Sequence, residues 1–181
     1  MSRAFLSPSR CAPETLTSPL RRALHGVDPA AVRDLWLQGV VEIRGDLDLV
    51  EPAEGEELVK LSPRRGFLFI DGDPAHVAER LRAAGVLAYD ATGALAGIAI
   101  ESAQVMRRLT DLDLSNLPAT GPFAHVTAIV LRDEDGWFRV CVQQELGHYV
   151  AAAVVDALAG LDMPRGLTPG GQGSDPIEVQ T

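Results

Sequence analysis

From Gly66 onward, short apolar runs and helix-spaced apolar stripes follow one another in the order β-α-β-β-α-β-β-α, and this alternation limits the fold more than any other feature. Residues 66–70 (GFLFI) read as a strand. Asp73-Pro74 then opens a helix with Val77, Leu81 and Ala84 on one side and Gly85 as its stop. Residues 86–89 and 94–100 are two strand runs separated by a turn at Asp90–Gly93. Ser102 caps a helix over 103–109, with Arg107 and Arg108 suited to its negative C-terminal end. Residues 123–131 and 137–142 form a hairpin across Asp133-Glu134-Asp135-Gly136. A last helix runs from about His148 to Leu158. The fold class expected is α+β: two tandem split β-α-β units, an antiparallel or mixed sheet, and helices packed on one face.

The remaining segments divide the chain into three parts. Residues 1–56 are expected to be an N-terminal arm with short helices, one after Ser18-Pro19 and one after Asp28-Pro29 carrying Val32, Leu35 and Trp36. Residues 40–43 read as a strand, and the acidic, turn-rich stretch at 45–56 suggests a boundary. The compact α+β domain then occupies 57–162, with strand-like 58–61 at its start. Residues 163–181 are low in complexity and expected to be a disordered tail.

Two segments carry more apolar surface than one core requires. In 123–131 both alternate sets are largely apolar, as in a strand covered on both sides. In the last helix, Val150, Val154, Leu158 and Leu161 make the stripe toward its own sheet, while Val155, Ala151 and Ala152 extend apolar character round the cylinder. Each large side chain left in water forgoes roughly 1.5–3 kcal/mol of burial. A second polypeptide on the helix or on the outer sheet face accounts for this. Alanine also forms helices well and tolerates exposure, so a solvated second face is the alternative. Tyr149, Ala151, Val155 and the pair Arg107–Arg108 are the residues expected to face a partner.

At 181 residues and 46% hydrophobic, the chain is long enough for one self-sufficient core. Its net charge of −9 argues against nucleic acid or an anionic membrane as partner. The first 25 residues contain no apolar h-region and no stretch approaches a membrane span, so the compartment expected is the cytoplasm. Cys11 and Cys141 suggest neither a disulfide framework nor a zinc site, and Cys141 reads as a small buried hydrophobe.

The motifs of self-contained chemistry are missing from the sequence. It has no phosphate-binding GxxxxGK[ST] loop, no strand-coupled GxGxxG, no GxSxG elbow and no HExxH. His25, His76, His125 and His148 share no metal-ligand spacing. His125 reads as a hydrogen-bonded core histidine on a strand, and His148 as a capping or packing residue. Asp133, Glu134 and Asp135 read as exposed turn acids, and Asp111 and Asp113 as turn organisers after a helix. No catalytic, cofactor or metal residue is assigned.

Three stretches are more specific: YDATGALAGIAIESA (89–103), RRLTDLDLSNLPATGP (107–122) and FRVCVQQELGHYVAAAVVDALAGL (138–161). On these the chain, over about 58–161, resembles the gamma subunit of heterotetrameric sarcosine oxidase. More distantly it is similar to the folate-binding domain of the aminomethyltransferases of the glycine cleavage system. The resemblance implies a small, non-catalytic subunit without a cofactor of its own. Its partners would be larger flavoprotein subunits holding FAD, FMN, NAD and tetrahydrofolate. Such an assembly oxidises sarcosine to glycine, passes the one-carbon unit to tetrahydrofolate and forms peroxide. The paired aspartates of the aminomethyltransferases find no match here, because Asp133 and Asp135 lie in the hairpin turn itself. An independent folate-binding module of one-carbon metabolism and a homo-oligomeric structural domain are the rival readings.

Overall fold

The computed structural model describes residues 18, 20–35 and 39–162. Its strands pair into two antiparallel sheets. The five-stranded sheet has β1 (Val32–Asp34), β6 (Leu95–Ile100), β9 (Phe138–Gln143), β8 (Val126–Arg132) and β7 (Ala119–Phe123) in that spatial order. The four-stranded sheet has the order β3 (Glu56–Ser62), β4 (Arg65–Ile70), β2 (Gly39–Arg44) and β5 (Leu87–Asp90). Helix α1 (Pro74–Ala83) joins β4 to β5, which flank β2. Helix α2 (Ala103–Leu109) leads from β6 toward β7 and β8, and β6 and β8 flank β9. These are the two split β-α-β units in tandem, and helix α3 (Gly147–Asp162) closes the second.

Side chains alternate across each sheet and so feed three apolar layers. Val41, Ile43, Leu68 and Ile70 pack on Val77, Ala78 and Leu81 of α1. Ile98, Ile100, Val130 and Val140 pack on Val105 and Met106 of α2 and on Val150 and Val154 of α3. Between the sheets, Val40, Val59, Phe67 and Phe69 meet Ile129, Leu131 and Cys141. Each sheet therefore carries helices on one face only and its fellow sheet on the other. This explains why β8 is apolar on both sides: Ala128 and Val130 serve the helix layer, Ile129 and Leu131 the inter-sheet layer. Its second face needs no other polypeptide, which corrects the expectation that the outer sheet face is free for a partner.

The local signals act as physics requires. Asp73 accepts a hydrogen bond from Ala75 N at 3.0 Å to start α1, and Ser102 accepts from Val105 N at 3.4 Å to start α2. Gly147 sits where a Cβ would come within 2.6 Å of Ala96 Cβ, so only glycine lets α3 begin this close to β6.

Strand pairing crosses the boundary expected at residue 56. β2 is an interior strand of its sheet, and β1 pairs with β6 through Val32–Ile100 and Asp34–Ile98. The helix expected after Asp28-Pro29 is a single turn. Asp28 Oδ1 accepts from Ala30 N at 2.8 Å and its carbonyl from Ala31 N at 2.9 Å, and the chain then extends as β1. The cap is real, but pairing with β6 outweighs helical spacing. Residues after Ser18 form turns with Leu24 N donating to Leu20 O at 3.0 Å, in place of the expected helix, and Leu20 is buried in the helix-side core. Trp36, most of the leader and the tail from 163 lie outside the described residues.

Candidate functional site

The expected hairpin strand over 123–131 is in fact two strands, and the turn between them builds a cleft. β7 and β8 join through Ala124 and His125, both with positive φ (47° and 67°), between the paired Phe123 and Val126. A two-residue connection with both centres left-handed matches the twist of a hairpin, yet asparagine and glycine normally supply it. Here the strain is held by the end of α2: Ala124 N donates to Leu109 O at 2.7 Å, and the Thr110 hydroxyl donates to Pro122 O at 2.6 Å. His125 is therefore exposed at a turn, a correction to its reading as a core histidine.

Across from this turn lies α3, and the space between is a cleft of ≈ 560 Å³. Arg108, Asp111, His125, Tyr149 and Asp156 bring polar atoms to it, over a floor that includes Leu109, Pro122 and Ala157. The Arg108 guanidinium is latched to α3, with Nη1 donating to Ala157 O at 3.2 Å and Nη2 to Gly160 O at 3.1 Å. Gly160 makes room for it, since a Cβ there would stand 2.6 Å from Nη1. Arg108 thus serves the C-terminal turns of α3 rather than those of its own helix.

The five residues expected to face a partner are separated by the structure. Tyr149 is 43% exposed at the cleft, Arg107 is exposed and Val155 half-buried. Arg108 is exposed but engaged within the chain. Ala151 is fully buried in the helix-side core, which corrects its expected place on the outer face: the start of α3 lies so close to β6 that this position also turns inward. The cleft offers donors, acceptors and an aromatic ring suited to recognition. Among the described residues no group of three or more His, Cys, Asp or Glu side chains could hold a metal ion.

A second polar centre was not read from the sequence. Arg139 of β9 enters the inter-sheet layer, where it pairs with Glu57 of β3 and with Asp133 of the hairpin and lies over the Phe69 ring. Burial alone would lower the Arg139 pKa, but hydrogen bonds and charge from Glu57, then Asp133, outweigh it and hold it above the ordinary arginine value. Asp133 is thus an ion-pair partner, not merely an exposed turn acid. The available signal was the strand phase of FRVCV: Arg139 shares its side with Cys141, which is buried. Burial pushes the Cys141 thiol up to about 12, so it is an inert apolar group as expected.

No family model matches the sequence, and no curated protein matches it significantly. Among solved structures, a chain of the heterotetrameric sarcosine oxidase from Corynebacterium sp. U-96, in complex with pyrrole 2-carboxylate, superposes with a TM-score of 0.71. The superposition covers 82% of this chain and 97% of that one, at 14% identity. The fold is that of a sarcosine oxidase chain. The matched length extends before residue 57, because 82% coverage exceeds what the whole of 57–181 could supply. No helix among the described residues is long and apolar enough to cross a membrane.

Proposed function

We propose that the chain is a gamma-type accessory subunit of a sarcosine oxidase-like complex. The observation that carries this reading is the likeness to nearly the whole length of a chain from a heterotetrameric sarcosine oxidase. The resemblance of 89–103, 107–122 and 138–161 to the gamma subunit, reached from the residues alone, supports the same conclusion. In this reading larger flavoprotein subunits hold FAD, FMN, NAD and tetrahydrofolate, and sarcosine oxidation runs on them in the cytoplasm. The chain contributes surface. Tyr149, Val155 and Arg107 lie toward a partner, beside the cleft lined by His125, Asp111 and Asp156.

Co-expression with the larger flavoprotein subunits from the same source tests the reading. A stoichiometric complex that elutes together is the expected result. A lone, monodisperse chain that never co-elutes with them refutes it.

A further inference from the structure

The inner face of the four-stranded sheet is only partly covered by the other sheet. Near Val40 and Phe69 it packs on Ile129, Leu131 and Cys141. Farther along, directly opposed residues form two rows on the same face: Phe67, Glu42 and Tyr89, then Arg65, Arg44 and Leu87. Leu87 is 59% and Tyr89 48% exposed, although Ala88 between them is buried with α1 on the opposite side. Two large apolar side chains thus stand adjacent on a ledge that the second sheet does not reach. Where the sheets diverge, Arg65 and Phe67 also line a groove of ≈ 500 Å³ together with Leu61, Leu95, Val126 and Ile129.

The charge on this ledge is unbalanced. Glu42 Oε1 accepts from Arg44 Nε at 3.0 Å and from Arg65 Nε at 2.8 Å, so two guanidiniums share one carboxylate. Burial opposes ionisation of Glu42, but both arginines outweigh it and hold the carboxyl below its ordinary range. A net positive charge therefore sits among Phe67, Leu87 and Tyr89 on a chain whose total is −9. Its complement is apolar and carries a carboxylate.

We propose that this ledge docks an acidic, apolar segment of a larger subunit, with an apolar side chain entering the groove and a carboxylate meeting Arg44 and Arg65. The inference rests on the accessory-subunit reading. Recognition runs through side chains on the sheet face and not by strand addition, because the Ala88 carbonyl accepts from Arg82 Nε at 2.9 Å and so blocks the β5 edge.

The test measures binding of the full chain to the purified larger flavoprotein subunits, at low and high salt. Two paired variants are compared with wild type: Arg44→Gln/Arg65→Gln and Leu87→Ser/Tyr89→Ser. Lys60→Gln serves as control, since Lys60 points to the opposite side of β3 from Val59 and pairs with Asp48. Each paired variant is expected to raise Kd by about tenfold or more, and the control by less than about twofold. Loss of the arginines also flattens the salt dependence. The Leu87/Tyr89 pair breaks no ion pair, so it carries the test should loss of the arginines unsettle Glu42. Wild-type binding with both variants within about twofold overturns the ledge and leaves the accessory reading standing. A wild-type chain that does not bind overturns both.

Discussion

Arg139 shows how one side chain can join two sheets. Its neighbours Phe138 and Val140 turn to the helix-side core, so Arg139 must enter the inter-sheet layer, where its side chain is only 11% exposed. A charge in that setting destabilises unless it is paired. Glu57 arrives from the four-stranded sheet and Asp133 from the five-stranded one, so the guanidinium ties the two together while lying over Phe69. Both carboxylates are about a third exposed, which screens the pairing. Arg139→Ala is expected to cost about 2 kcal/mol, read from the urea midpoint, because it strands two acids and uncovers an aromatic face. Arg139→Lys recovers only part, since an ammonium lacks the fork that reaches both partners. An unchanged midpoint for the alanine variant shows the clamp to be incidental.

Helix α3 is the element whose partners were only half legible in the sequence. The stripe Val150, Val154, Leu158 and Leu161 does pack into the helix-side core, Val150 and Val154 buried and Leu158 and Leu161 partly so. What spacing could not convey is the close approach at Gly147, which draws Ala151 inward as well, or the latch from Arg108. That latch joins residues 49 and 52 positions apart in the chain, and no local pattern encodes it. Strand β7 escaped notice for a related reason. ATGPF contains Gly121, which weakens a strand, and Pro122, which a sheet tolerates only at an edge such as this one, and Ala124-His125 is not turn chemistry that a sequence announces. Arg108→Ala leaves the last turns of α3 without these donors. Amide exchange over 158–161 is expected to quicken about fivefold to tenfold, with a global loss of about 1 kcal/mol. Exchange equal to wild type over those amides means that the latch is cosmetic.

At the scale of the molecule, the boundary suggested by the acidic stretch at 45–56 and the boundary set by strand pairing give opposite expectations for a truncated chain. Composition makes 57–162 look self-sufficient, since it contains all three α-helices and seven of the nine strands described. Topology says otherwise. β2 lies between β4 and β5, so its removal leaves α1 over a sheet with a missing middle, and Val41 and Ile43 vanish from the centre of that layer. Val40 goes from the inter-sheet layer, Leu20 and Val32 from the helix-side core. Five large buried side chains at roughly 1.5–3 kcal/mol each amount to about 7.5–15 kcal/mol, comparable to the whole 5–15 kcal/mol margin of a typical domain. A 57–181 fragment is therefore expected to keep much of its far-UV circular dichroism, bind a hydrophobic dye and melt without a cooperative transition. Full-length protein under the same conditions is expected to melt in one step, because the inter-sheet layer couples the two sheets. A fragment with a sharp two-state transition places the folding unit at residue 57 after all, and makes β1 and β2 additions to a core already complete.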